Sequence, residues 1–103
     1  MTYRIQRVNK LIQNELSIFL REEFAELGIF SILEVIVNDD LSFAKVYIDT
    51  LKLKVSNENF EKILNNKSGY FRQLLKKRIV SKKIPVLQFI IYPSEPENEA
   101  KID

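Results

Sequence analysis

The sequence predicts an α+β domain of two layers, with helices on one face of a small three-stranded mixed sheet. Three observations carry that prediction. The first is a long apolar stripe at helical spacing near the N-terminus. The second is a pair of β-branched, aromatic-rich runs separated only by "NDDL". The third is a connection of about thirty residues, holding two helical patterns, that leads to one more alternating run.

The elements follow in order. Over residues 2 to 27, Ile5, Val8, Ile12, Leu16 and Phe19 recur at helical spacing, and Arg7, Lys10, Asn14 and Arg21 fall nearly opposite. Gly28 stands where a helix C-terminus favours the left-handed conformation. "SILEVIV" and "SFAKVYIDTL" read as two strands of one hairpin. In the second, Ala44, Val46 and Ile48 share one face and Lys45, Tyr47 and Asp49 the other. Ser56 is placed to cap a helix running to about Asn66, and a further helix covers about Gly69 to Val80. Ile84-Pro85 cannot continue it. "VLQFIIY" is then a third strand, with Leu87, Phe89 and Ile91 alternating. A crossover of this length normally joins parallel strands, so the second and third strands should run parallel. Residues 1–93 are expected to form one domain, and the acidic residues 94–103 a disordered tail.

Composition removes several kinds of chemistry. The chain has 103 residues, enough for one domain, with 46% of them apolar and only two Gly and three Pro. It has no cysteine and no histidine, so no disulfide, cysteine nucleophile, serine–histidine triad or ordinary zinc site can be built from it alone. No cofactor and no enzymatic activity are expected. The opening "MTYRIQRVNK" lacks the apolar core of a secretory signal, and no apolar run approaches the roughly 20 residues that span a bilayer. A cytoplasmic protein is the expectation. Asp39-Asp40 could suggest a Mg²⁺ site, but adjacent Asn and Asp are ordinary turn residues and that reading is preferred here.

The net charge of +2 hides an uneven distribution. From Lys62 to Ser94 there are eight positive residues and no acid, whereas the other 70 residues carry eight positive and fourteen negative. Such segregation argues about partners rather than fold, and it suggests a polyanion. An unbroken helix through "KILNNKSGYFRQLL" would put Lys67 inside its own apolar stripe, so a break at Ser68-Gly69 is expected to release that charge to water. Ser68 would cap the following helix and Gly69 would permit close approach to its first turn, a place that favours phosphate. An ordinary helix–helix turn explains the same residues.

On these residues the chain resembles the ribosome-binding factor A family, bacterial assembly factors of the small ribosomal subunit. "RIQRVNKLIQNEL" is similar to that family's paired arginines, valine and following glutamate, here Arg4, Arg7, Val8 and Glu15. "VNDDLSFAKVYI" resembles its most recognisable signature through Asp40, Leu41, Ala44, Val46 and Tyr47. "SGYFRQLLKKRI" resembles its glycine–aromatic–arginine turn through Gly69, Tyr70 and Arg72, and "IPVLQF" its proline-led last strand. The four pieces occur in order and cover roughly residues 4 to 94.

The resemblance implies a type II KH-like fold, order α-β-β-α-(kink)-α-β, in which an alanine-centred kink replaces the glycine-rich loop of ordinary KH domains. Lys67 stands at that alanine here. It also implies binding to the free or immature small (30S) subunit and its 16S rRNA, with late maturation including 5′-end processing, and a role in cold adaptation. The expected RNA contacts are Arg4, Arg7 and Lys10 on the first helix, Lys45 on the second strand, and Lys67, Ser68, Gly69, Arg72, Lys76, Lys77, Lys82 and Lys83. Arg78 lies at the phase of the apolar stripe and is expected to run its stem along the core. A monomer is expected. The competing class is a KH-like interaction module whose basic face binds an acidic protein.

Overall fold

The computed structural model describes residues 2–80 and 83–94. Helix α1 (Thr2–Phe24) leads through a 3-10 turn (Ala25–Leu27) into β1 (Gly28–Val37). Strand β2 (Phe43–Leu53), helices α2 (Asn57–Asn66) and α3 (Ser68–Arg78), and β3 (Val86–Ile91) follow. The sheet order is β1-β2-β3, antiparallel between the first two and parallel between β2 and β3, as the crossover length predicts. Except for Ser94, the expected tail lies outside the described residues.

The two periodicities meet in one core. The inward row of the sheet, Val35, Val37, Ala44, Val46, Ile48, Leu87 and Phe89, packs against Ile12, Leu16 and Leu20 of α1 and against the α2–α3 pair. Phe60, Leu64, Phe71 and Leu75 are wholly buried there. Phe71 sits edge-on to Phe89 and Phe24, at 6.0 and 6.1 Å between ring centres. Burying each such ring stabilises the fold by about 1.5–3 kcal/mol relative to exposure. Among the described residues no polar or charged residue is buried in this core.

Element ends depart from the sequence expectation where an apolar side chain turns inward. Helix α1 tightens into 3-10 geometry after Phe24, whose ring is pulled under α2 against Phe60 at 5.9 Å. Gly28 has positive φ, but at φ 141° and ψ −157° it is not in the left-handed helical well. It is extended and pressed on β2, where a Cβ would stand 2.0 Å from the Lys52 carbonyl oxygen. Strand β1 therefore begins three residues before "SILEVIV", with Leu27 accepting from Lys54 N–H at 2.7 Å. Likewise α3 stops at Arg78 because Ile79 turns into the core in an extended conformation.

Two details bear on the surface. The β1–β2 ladder shifts register twice, leaving Leu51 and Leu33 as extra residues. In the hairpin, Asn38 Oδ1 accepts from the N–H groups of Ser42 and Phe43, and Leu41 takes a positive φ of 62°.

Candidate nucleic-acid interface

Helices α1 and α3 run antiparallel, and that orientation sorts the charges. Lys67, just before α3, meets Glu23 near the end of α1. Further along, Arg78 Nε stands 3.4 Å from Glu15 Oε1, and Ile79 and Val80 share a groove with Arg4, Arg7 and Leu11. Arg4 and Glu23 are nineteen residues apart on α1, so the two ends are separated by about 28 Å.

One end is cationic. Arg4, Arg7 and Lys83 rim a groove of about 170 Å³ whose floor is aliphatic, formed by Val8, Leu11 and Ile79 among others. Lys83 Nζ also donates to the Asp40 backbone carbonyl at 3.3 Å, which ties the hairpin tip to the loop before β3. Lys76 and Lys77 project from the last turn of α3 and are exposed, as is Lys10 on α1. Cations in a last helical turn also oppose the partial negative charge of the helix C-terminus. Cations that the sequence treats as separate patches, Arg4 and Arg7 on the one hand and Lys76, Lys77 and Lys83 on the other, thus lie at one end of the described residues. Lys82 lies outside the described residues.

The kink is a different environment. Lys67 alone separates the two helices, at φ −102° and ψ 11°, one residue before the expected break. It leaves the apolar stripe for the surface, as anticipated, and there finds partners. Its ammonium donates to Glu23 Oε2 at 2.7 Å and lies 5.1 Å from the Tyr70 ring centre. The Glu23 hydrogen bond raises the Lys67 pKa above its ordinary value, against a smaller opposing effect of desolvation.

Ser68 does not cap α3. It is the helix's first residue, and its hydroxyl donates to the Leu87 carbonyl at 2.7 Å. Arg72 Nε donates to the Ile84 carbonyl at 3.0 Å and holds the entry to β3. Gly69 faces open space, with nothing within 4 Å of an added Cβ. Around the kink, three of the expected phosphate contacts thus have partners within the chain. Lys67 pairs with Glu23, with Glu22 and Glu26 close by in sequence, while Ser68 bonds the β3 backbone at Leu87 and Arg72 Nε the Ile84 carbonyl just before that strand.

Lys45 lies on the open face of the sheet, between Ile36 and Gln88 in the register, across the sheet from the helices. Tyr47 is on that face too, edge-on to Tyr92 at 6.3 Å. Arg78 keeps its charged head exposed and directs it to Glu15, whose Oε1 is buried without a hydrogen bond. Asp40 behaves as a turn residue. Its carboxylate accepts from the Ser42 hydroxyl at 2.6 Å and the Ser42 N–H at 3.0 Å, and these bonds hold its pKa below the ordinary value. Among the described residues no group of three or more metal-ligating side chains comes together, and no helix is long and apolar enough to cross a membrane.

Sequence reasoning missed a set of side chains on the outer edge of β3. Asn65 accepts from Phe89 N–H at 2.8 Å and donates to the Phe89 carbonyl at 2.9 Å. Glu61 accepts from Ile91 N–H at 2.9 Å, and Ser68 serves Leu87 as described. Their partners lie 19 to 30 residues away in the chain, so no local pattern announces them.

Comparison with known proteins gives consistent results. A family model described as Ribosome-binding factor A matches residues 4–103. Ribosome-binding factor A of Vesicomyosocius okutanii subsp. Calyptogena okutanii is 36% identical, over 99% of this chain and 89% of that protein. That of Chlorobium chlorochromatii is 35% identical, over 86% and 74%. Among solved structures, the crystal structure of ribosome-binding factor A from Thermus thermophilus superposes with a TM-score of 0.74 at 17% identity, covering 84% of this chain and 94% of that one. Coordinates of the Thermus thermophilus factor fitted into a cryo-EM map of a 30S complex give a TM-score of 0.59 at 20% identity, covering 82% and 96%. The shared fold is the KH-like α+β arrangement with the expected element order.

Proposed function

The chain belongs to the ribosome-binding factor A family, and from that premise we propose that it binds the small ribosomal subunit through rRNA phosphates at its cationic end. One observation carries the reading. The antiparallel packing of α1 and α3 gathers Arg4, Arg7 and Lys83 around one groove, with Lys76 and Lys77 on the adjoining last turn of α3. Lysine and arginine side chains on a rigid two-layer frame fix the register of an RNA backbone, but they do not select a sequence. The relative fitted into a 30S complex supports the choice of partner.

The protein acts without catalysis, as a monomer in the cytoplasm. It holds an element of 16S rRNA in the immature 30S particle away from its mature position during late maturation, including trimming of the 5′ end, and then leaves. Lys10 lies beside the site, and Lys45, on the opposite face of the sheet, lies outside it.

Sedimentation of a lightly tagged chain through sucrose gradients of cell extract tests this. The expected result is co-migration with free small subunits and absence from translating ribosomes. That co-migration should be lost steeply as salt rises, because each phosphate contact releases counterions. Loss on nuclease treatment separates RNA from an acidic protein partner. A tag that stays at the top of the gradient at low salt, with small subunits abundant, would overturn the reading.

A further inference from the structure

The cationic groove has an apolar interior that phosphate binding does not use. Arg4, Arg7 and Lys83 line it, and the rest of its lining is aliphatic, from Val8 and Leu11 of α1 to Ile79 and Val80 beyond α3. Leu11 is 45% exposed and Val80 wholly so. Exposed aliphatic residues scattered singly are ordinary. Here two of them converge with three cations, and no acid, in one concavity of about 170 Å³. A bare phosphate gains nothing from such a floor, where it would lose its water without a partner. The lining fits a compact apolar body joined to anions.

The surrounding charges limit where those anions can lie. Glu15 stands 3.4 Å from Arg78, and the Asp40 carboxylate accepts from the Ser42 hydroxyl. Asp39 and Asp40 share with Arg4 a separate hollow on the hairpin side. On the other side, Lys76 and Lys77 precede Ile79 and Val80 by three residues. An anionic chain leaving the groove is therefore drawn along α3 and repelled from the hairpin.

We propose that the groove holds one unstacked nucleobase of a single-stranded RNA element, with its flanking phosphates on Arg4, Arg7 and Lys83 and the strand continuing past Lys76 and Lys77. The inference rests on the reading that the cationic end binds rRNA, and it adds which form of RNA fits there. The groove is smaller than the roughly 300–1,000 Å³ of drug-sized pockets and suits a single ring system. The base packs on Leu11 and Val80, and the two guanidinium groups present planar faces for stacking. The lining offers no amide, hydroxyl or carboxylate side chain to read a base edge, so the groove selects strandedness rather than sequence. A paired base would first have to be unstacked and flipped, which opposes binding of a duplex. A leucine from an acidic peptide would meet the same floor, but cations continuing along α3 favour a chain charged at every unit.

The test measures binding of the whole chain to three RNAs at moderate salt: a single-stranded decamer without self-complementarity, the same decamer with abasic riboses at its centre, and a duplex of equal length. Methyl NMR reports the site. No aromatic side chain lines the groove, so a stacked base shifts the Leu11 and Val80 methyl signals upfield. The expected result is that shift with the intact single strand alone, and an affinity about tenfold above that for the abasic strand and the duplex. Leu11→Ser and Val80→Ser, both at exposed positions, should remove the tenfold preference and leave the salt dependence unchanged. Equal binding of intact and abasic strands, or of strand and duplex, overturns the base-holding groove while the phosphate contact stands. Failure to bind any of the three RNAs at low salt overturns the rRNA reading itself and this inference with it. Methyl shifts caused by an alternating Leu–Glu decapeptide, and by no RNA, would overturn it in favour of an acidic protein.

Discussion

At Gly28 the extended backbone with positive φ and the neighbouring Lys52 carbonyl leave no room for a β-carbon. Alanine there would have to adopt a glycine-only conformation and move β2 as well. Gly28→Ala is expected to cost about 3 kcal/mol or more, seen as a lower urea midpoint at unchanged slope. Gly69 is the opposite case. It lies in the first turn of α3 with open space where a Cβ would go, so Gly69→Ala should gain about 0.5–1 kcal/mol by restricting the unfolded chain. A glycine at a helix end is visible in a sequence, but what its missing side chain makes room for is not. The same limit applies to Lys67. A run of cations without acids was legible, whereas the Glu23 carboxylate that claims one of them comes from 44 residues away.

At the level of elements, period and alternation were sufficient wherever a face is buried whole. The alternation of Ala44, Val46 and Ile48 and that of Leu87 and Phe89 match the inward row of the sheet, and Phe60, Leu64, Phe71 and Leu75, at helical spacing, form the buried faces of α2 and α3. Element ends were less legible, because Phe24 and Ile79 leave their helices to reach the core. The polar ladder on β3 was not legible at all. Asn65 is an exposed-looking residue in a polar helix end, yet it satisfies both peptide groups of Phe89. Asn65→Ala leaves that N–H and C=O without partners at a partly buried edge and is expected to cost about 2 kcal/mol. Asn14→Ala, on an exposed face of α1, should change stability by less than about 0.5 kcal/mol. Chemical denaturation of both variants beside the parent measures the difference. If β3 is protected by this ladder, amide exchange at Phe89 rises in Asn65→Ala while that of Ile91, held by Glu61, and of β1 stays unchanged.

For the whole molecule, the antiparallel packing of α1 and α3 turns a charge run along the sequence into two ends of opposite character. Counting charge along the chain assigned the kink and the last turn of α3 to one basic face. In the fold the kink meets the acidic end of α1, and the residues just after α3, Ile79 and Val80, share a groove with Arg4 and Arg7. The two placements make different predictions for subunit binding. Charge reversal of Lys76 and Lys77, or of Arg4 and Arg7, should remove phosphate contacts and weaken binding at moderate salt by an order of magnitude or more. It should also flatten the salt dependence by about one log–log unit for each phosphate no longer neutralised. Lys67→Gln removes one unit of formal charge, against two per residue in a charge reversal, and breaks only the Glu23 pair and the Tyr70 contact. It should leave both affinity and salt slope near those of the parent. Binding of each variant to purified small subunits across a salt series reads both quantities. Equal weakening from the two ends would mean that the chain's overall charge, rather than its cationic end, holds the RNA. Weakening confined to Lys67→Gln would return the RNA-binding site to the kink.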